Sequence, residues 1–200
     1  MRVQKFANSP IEIEVEEVET IPETSDEDLR AKLEKDTHNA EKFTQKNNWT
    51  QYSTEIISLS VAEFYDEFLL ENAKFSFKKW GELSKHTDFK IQQPWKKGVM
   101  ITHSVVPVTG APFINSTRCI KTCTIVNRTD DSLIVEFNTK TLDAPYSDTF
   151  SCREVWIMLS GNPKEQKCIV AKKYNIDFVK STIFRSKIED RASKGIIEAN

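Results

Sequence analysis

Two hundred residues with 38% hydrophobic side chains and a formal net charge of −2 suit one domain with a tail better than two domains. No run approaches the roughly 18 apolar residues of a membrane span, so the chain reads as soluble or as a piece of a longer protein. The charge balance lacks the strongly basic signature of a dedicated nucleic-acid binder.

The charge is unevenly spread. Residues 1–50 hold twelve acidic and seven basic side chains, a net of −5, and the remaining 150 residues carry +3. Residues 11–28 contain nine carboxylates and no Lys or Arg, with Pro22 among them, a composition that repels itself and buries little. Residues 1–50 are therefore expected to be an acidic, largely disordered lead-in. A helix over 26–46, capped by Ser25, is compatible with it, and Leu29, Leu33, Ala40 and Phe43 are its candidates for docking.

Residues 51–200 form the expected domain. A strand over 52–59 leads to a helix start at which Ser60 and Glu63 make a capping box and Leu59 with Phe64 a hydrophobic staple. Val61, Phe64, Phe68 and Leu69 form its apolar side. The segment 71–77 mixes turn residues with Phe75 and Phe77 and runs on to Trp80 and Gly81, which by itself reads as a second helix whose aromatics fill a core.

From Phe89 the pattern turns to strands over 89–93, 99–106, 117–127, 132–142, 149–159 and 167–178, separated mostly by short turn-rich stretches. Successive hairpins imply an antiparallel sheet. The connection 107–116 is more irregular, and its Phe113 and Ile114 read either as core plugs or as membrane-touching side chains. In the strand after Pro145, Phe150, Cys152, Glu154, Trp156 and Met158 share one face and Ser151, Arg153, Val155 and Ile157 the other. Arg153 or Glu154 must then look inward, with a cross-strand partner as the ordinary explanation. A last helix over 179–199, about 30 Å long, would dock through Phe184, Ile188, Ala192 and Ile196, with Ile183 and Ile197 widening the stripe.

Catalytic signatures are missing. His38, His86 and His103 are scattered, Cys119 and Cys123 lack further zinc ligands, and there is no G-x-S-x-G, H-E-x-x-H or phosphate loop. Without a signal peptide the four cysteines (Cys119, Cys123, Cys152, Cys168) are expected as free thiols. The sequons at Asn48, Asn115 and Asn127 then carry no weight. A non-catalytic binding module is what remains.

Four pieces in order resemble the VASt domain, a StAR-related lipid-transfer-like module called Aster in some members. They are the helix over 59–70, Lys90-Ile91-Gln92-Gln93-Pro94-Trp95, Ser116-Thr117-Arg118-Cys119, and residues 143–156 followed by 179–189. Ser147 stands where that family usually has Gly. The resemblance covers about 52–198 and implies an α+β fold of the START-like helix-grip kind, a curved antiparallel sheet wrapped around a long C-terminal helix.

It also implies a sterol held in an apolar pocket, with no cofactor and no catalysis. Tyr146, Phe150, Trp156, Tyr174, Ile176 and Phe178 would line or back the pocket, and Phe184 and Ile188 would floor it. The segment after the first helix would be a lid, with Leu70, Lys74, Phe75, Phe77 and Lys78 meeting an anionic membrane surface in transient contact. The partners expected are a sterol or similar lipid and a membrane, with no nucleic acid and a monomeric chain. The site of action would be the cytoplasmic face, at endoplasmic reticulum contact sites if the chain is a fragment or is recruited. A filled grip serving as a protein-interaction module, or a carrier of another hydrophobic lipid, are the competing expectations.

Overall fold

The alternation of apolar and polar residues after residue 87 produces six consecutive antiparallel strands, and a seventh, from between the first two helices, joins them at one edge. The structure, a computed structural model, describes residues 24–44, 48–108, 114–162 and 164–198, with the backbone alone for 36–44. Phe113 and the side chains of Ala40 and Phe43 lie outside the described residues. The strands are β1 (Thr50–Ile57), β2 (Thr87–Lys96), β3 (Val99–Pro107), β4 (Ser116–Arg128), β5 (Ser132–Thr141), β6 (Phe150–Leu159) and β7 (Cys168–Phe178). They form one sheet in the order β1-β7-β6-β5-β4-β3-β2, with every pairing antiparallel.

Local chemistry explains the edges. Pro94 sits within β2, an edge strand, where a missing ladder donor is tolerated. Lys97 and Gly98, with φ of 52° and 75°, make the two-residue turn between β2 and β3, whose twist suits a tight hairpin. The helix start at Ser60 has its full capping box: the Glu63 N–H donates to Ser60 Oγ at 3.2 Å and the Ser60 N–H donates to Glu63 Oε2 at 2.8 Å. Backbone and side-chain bonds from Ser60 hold the Glu63 carboxyl below the usual carboxylate range.

That helix is short. α2 (Val61–Phe64) continues as a π-helical turn over Tyr65–Leu69, and the Trp95 indole N–H donates to Leu69 O at 2.7 Å, tying the end of the turn to β2. A turn over 70–76 follows, then α3 (Phe77–Leu83). The segment is thus a loop and a helix in succession.

The two sheet faces bury different clusters. The inner face holds Phe64, Leu69, Met100, Leu133, Phe137 and Met158, with α2, the π turn and α3 packed over it. The outer face holds Ile134, Val155, Ile157 and Ile169 against Leu29 and Leu33 of α1 (Asp26–Thr44). Lys32 Nζ bonds Asp131 Oδ2 at 2.8 Å and Ser160 O at 2.7 Å, fixing α1 to the sheet.

The C-terminal helix begins later than the periodicity predicts. α4 spans Arg185–Glu198, 14 residues or about 21 Å. The N–H groups of Val179 and Lys180 both donate to Thr149 O, at 2.8 and 3.3 Å, and this holds the chain to the β5–β6 turn in a non-helical path. Ile196 is buried and Ile188 and Ala192 are half-buried, but Ile183 and Ile197 are exposed and do not widen the docked stripe.

Candidate functional site

Phe68 on the π turn, Phe75 on the 70–76 turn, Phe77 and Trp80 of α3, Lys121 of β4 and Trp156 of β6 border a cleft of about 50 Å³, open to solvent, on the inner face. Its rings form a connected series. Phe64 and Phe68 stack at 4.6 Å between centroids, Phe68 and Phe75 at 5.3 Å, and Phe137 meets Phe77 at 5.7 Å and Trp156 at 4.8 Å. Phe75 remains 46% exposed while packing on Phe68, so it closes the cleft from outside. A larger groove between α1 and β1, lined by Arg30, Leu33, Glu34, Gln51 and Thr54, is open and bordered by two charged side chains, unlike enclosed apolar ligand sites.

A cation forms part of this aromatic wall. Lys121 Nζ stands 4.9 Å from the Trp80 ring centroid and 5.5 Å from that of Phe137, where ring quadrupoles favour positive charge. Behind it Glu154, 5% exposed, has Oε1 3.7 Å from Lys121 Nζ and accepts a 3.1 Å bond from the Tyr52 hydroxyl. Burial first, then the Glu154 charge, pushes the Tyr52 hydroxyl far above its ordinary range and keeps it a donor. Lys172 Nζ lies 5.0 Å from the centroid of the Trp156 ring.

The expected pocket residues fall into separate places. Trp156 lines the cleft. Phe150 pairs with Phe178 and Cys152 with Ile176 across β6 and β7, as Glu154 does with Tyr174, so Phe150, Tyr174, Ile176 and Phe178 share the inner face further along the strands. Tyr174 meets Tyr52 at 5.9 Å between rings. Tyr146 is exposed and lies 4.8 Å from Phe184, at the strand-end turn beyond the cleft, and Ile188 is half-buried on α4. The left-handed position of the 142–149 turn is Tyr146, with φ of 64°, not Ser147.

The expected lid residues divide as well. Phe75 and Phe77 line the cleft, and Phe77 also packs into the core. Leu70 and Lys78 border a second, smaller hollow of about 10 Å³ beside Phe89, Ile91 and Met100. Lys74 is exposed, with Nζ 5.0 Å from the Phe75 ring.

Phe68, Trp80, Lys121, Glu154 and Tyr52 are functional candidates beyond those predicted. The signal for Lys121 was present: it alternates with Cys119 and Cys123 on β4, so it shares their core-facing side. Both strand charges turn out to be paired, since Arg153 bonds Glu136 on the outer face. Burial raises Cys119 to about 11 and Cys123, Cys152 and Cys168 to about 12, so these thiols carry little thiolate at neutral pH. Among the described residues no group of three or more His, Cys, Asp or Glu side chains is placed to hold a metal, and no helix is long and apolar enough to cross a membrane.

His86 is tied to the cleft wall. Its ring meets Trp80 edge-on at 5.0 Å, and burial, with Lys121 as a second cause, depresses its pKa below the usual 6.5. The unfolded chain then binds the proton more readily, so stability is level above about pH 6.5 and falls as pH drops below that value toward the folded pKa. Urea midpoints between pH 7.5 and 5.5 should decline in the natural protein and decline less in His86→Gln. Equal declines in both would remove His86 as the cause.

A curved antiparallel sheet carrying helices over an aromatic cleft, with a C-terminal helix beside β7, defines a binding module of the helix-grip kind. The chain belongs to the VASt family: the model of the VAD1 Analog of StAR-related lipid transfer domain matches residues 51–195. The fold is thus one of lipid binding or transfer, a class that is generally non-enzymatic. Among solved structures the chain is similar to human StAR-related lipid transfer protein 5, at 11% identity over 86% of this chain and 95% of that one, with a TM-score of 0.43. It is similar also to human STARD10 (11% identity, 91% and 82% covered, TM-score 0.42) and to the Mll3558 protein from Rhizobium loti (10%, 76% and 94%, 0.39). No curated protein matches the chain.

Proposed function

We propose that this chain is a sterol carrier that shields one sterol in the inner-face cleft and exchanges it between membranes. The observation that carries the reading is an aromatic cleft with a cation in its wall, Lys121, backed by the buried Glu154. A flat hydrocarbon ligand suits ring walls, and one hydroxyl suits one charged anchor, directly or through water. At about 0.8 kcal/mol per buried CH₂, a ligand of sterol size faces a penalty on the order of 15 to 20 kcal/mol in water, so shielding removes the main barrier to leaving a bilayer.

The cleft, about 50 Å³, is far below the 300 to 1,000 Å³, roughly, of small-molecule sites, so a sterol requires outward movement of the 70–76 turn. Phe75 and Phe77 would move with it, and Leu70, Lys74 and Lys78 would approach a membrane surface. The same narrowness favours a second reading, a filled grip that acts as a protein-interaction module. Action at the cytoplasmic face, including endoplasmic reticulum contact sites, belongs to the carrier reading.

Uptake of a fluorescent sterol from liposomes separates the two. Saturable binding near one sterol per chain is expected, with slower exchange when Phe75 and Phe77 are changed to Ala. Absence of uptake by a chain whose circular dichroism shows it folded would leave the interaction module.

A further inference from the structure

The helix that begins at Ser60 ends in an irregular way. After Val61–Phe64 it widens into the π turn Tyr65–Leu69, a rare form found frequently at functional sites. Leu70 then leaves in an extended conformation, with φ of −69° and ψ of 149°, so no helical N–H follows to satisfy the carbonyl of the buried Leu69. The donor comes instead from β2, as the Trp95 indole N–H at 2.7 Å. The register of β2 against β3 shifts between Gln93 and Lys96, an irregularity of the kind that re-aims a side chain, and Trp95 within it packs onto the inner-face cluster.

What this bond holds is one wall of the cleft. Phe68, the residue before Leu69, stacks on Phe64 and on Phe75, and the Phe75 N–H donates to Glu67 O at 3.0 Å. The 70–76 turn is thus folded back onto the π turn, and the π turn is tied to the sheet through Trp95. Apolar burial holds the turn only weakly, since Leu70 is 39% and Phe75 46% exposed. One group opposes closure: Glu67 Oε2 is buried with no hydrogen-bond partner among the described residues, and a bond left unmade in this way costs free energy. The closed arrangement therefore depends on individual bonds.

We infer that Trp95 is a positioning residue of the carrier: its indole N–H latches Leu69 O, and with it Phe68 and Phe75, in the closed position, and breaking this bond gates the movement of the 70–76 turn. The latch is a property of the chain without ligand; its part in sterol exchange rests on the carrier reading. Trp95 does not border the cleft, so its replacement leaves the ligand's contacts in place. The bond belongs to the closed turn whether or not a ligand is inside. Losing it raises the rates of entry and release alike and leaves the amount bound nearly unchanged.

The test uses the full chain with Trp95→Phe, which keeps an aromatic ring and removes the donor, and with Glu67→Met, which removes the unpaired oxygen at similar length. Without ligand, hydrogen exchange of the amides of 70–76 is expected to quicken about fivefold or more in Trp95→Phe and to slow in Glu67→Met, a direction that misfolding does not mimic. Uptake of a fluorescent sterol from phosphatidylcholine liposomes, and its release to acceptor liposomes, should both quicken about fivefold in Trp95→Phe, with the amount bound at saturation changed less than about twofold. Unchanged exchange over 70–76 in both variants, or a change spread evenly over the sheet, would overturn the latch. Less sterol bound at unchanged rates would overturn it too, since Trp95 would then shape the cleft and not gate it. A chain that takes up no sterol while its 70–76 amides respond to both variants would remove the carrier reading and leave the latch standing; normal uptake with unresponsive amides would do the reverse.

Discussion

Phe137→Ala is expected to lower stability by about 3–5 kcal/mol, the range for removing a buried aromatic ring from a packed core. Phe137 is 1% exposed and stands between Phe77 of α3 and Trp156 of β6, so its ring couples the cleft wall to the sheet. The hole left behind cannot be refilled by a strand residue, because β5 is held on both sides by β4 and β6. For a chain of this length the loss corresponds to a fall in Tm of about 6–20 °C. Urea unfolding should show a lower midpoint with an unchanged slope, and a midpoint within error of the natural protein would mean that the inner face is not packed around this ring.

Glu154→Ala is expected to cost about 3 kcal/mol, at the lower end for breaking a buried ion pair, because the Lys121 side chain is still 21% exposed. The change removes the acceptor of the Tyr52 hydroxyl and leaves the ammonium of Lys121 without the carboxylate behind it. A cycle with Lys121→Met should give a coupling of about 1 kcal/mol or more, since the two groups touch. Additive effects would show that Glu154 is held by its other contacts. The same variant carries a consequence for the ligand: with its counter-charge gone, Lys121 should favour an anionic amphiphile. Competition of a fatty acid against a fluorescent sterol should therefore improve in Glu154→Ala and not in Phe137→Ala.

Much of the scaffold was legible in the chain. The Ser60 and Glu63 pair announced a helix start because a capping box is a purely local arrangement, and the alternation of apolar residues in β3 to β7 announced strands because side-chain period follows from the backbone alone. Phe75 and Phe77, expected from the resemblance as lid residues, line the cleft. Sequence could not show that Phe150, Tyr174, Ile176 and Phe178 share the face of the cleft without bordering it. Distance along a strand from a helix depends on where that helix comes to rest.

What the sequence determined by itself was the set of elements, the antiparallel order of hairpins and the family resemblance, all of which rest on local spacing and on neighbours in the chain. The tertiary structure alone decided which side chains meet. It brought the half-buried Lys121, 33 residues before the buried Glu154, up to that carboxylate and against the Trp80 ring. It also delayed α4 to Arg185 by spending the N–H groups of Val179 and Lys180 on Thr149, and so left Ile183 in water. Periodicity counted that isoleucine into a helix face because it registers spacing; the backbone bonds that break the helix come from a turn thirty residues away, which no local pattern encodes.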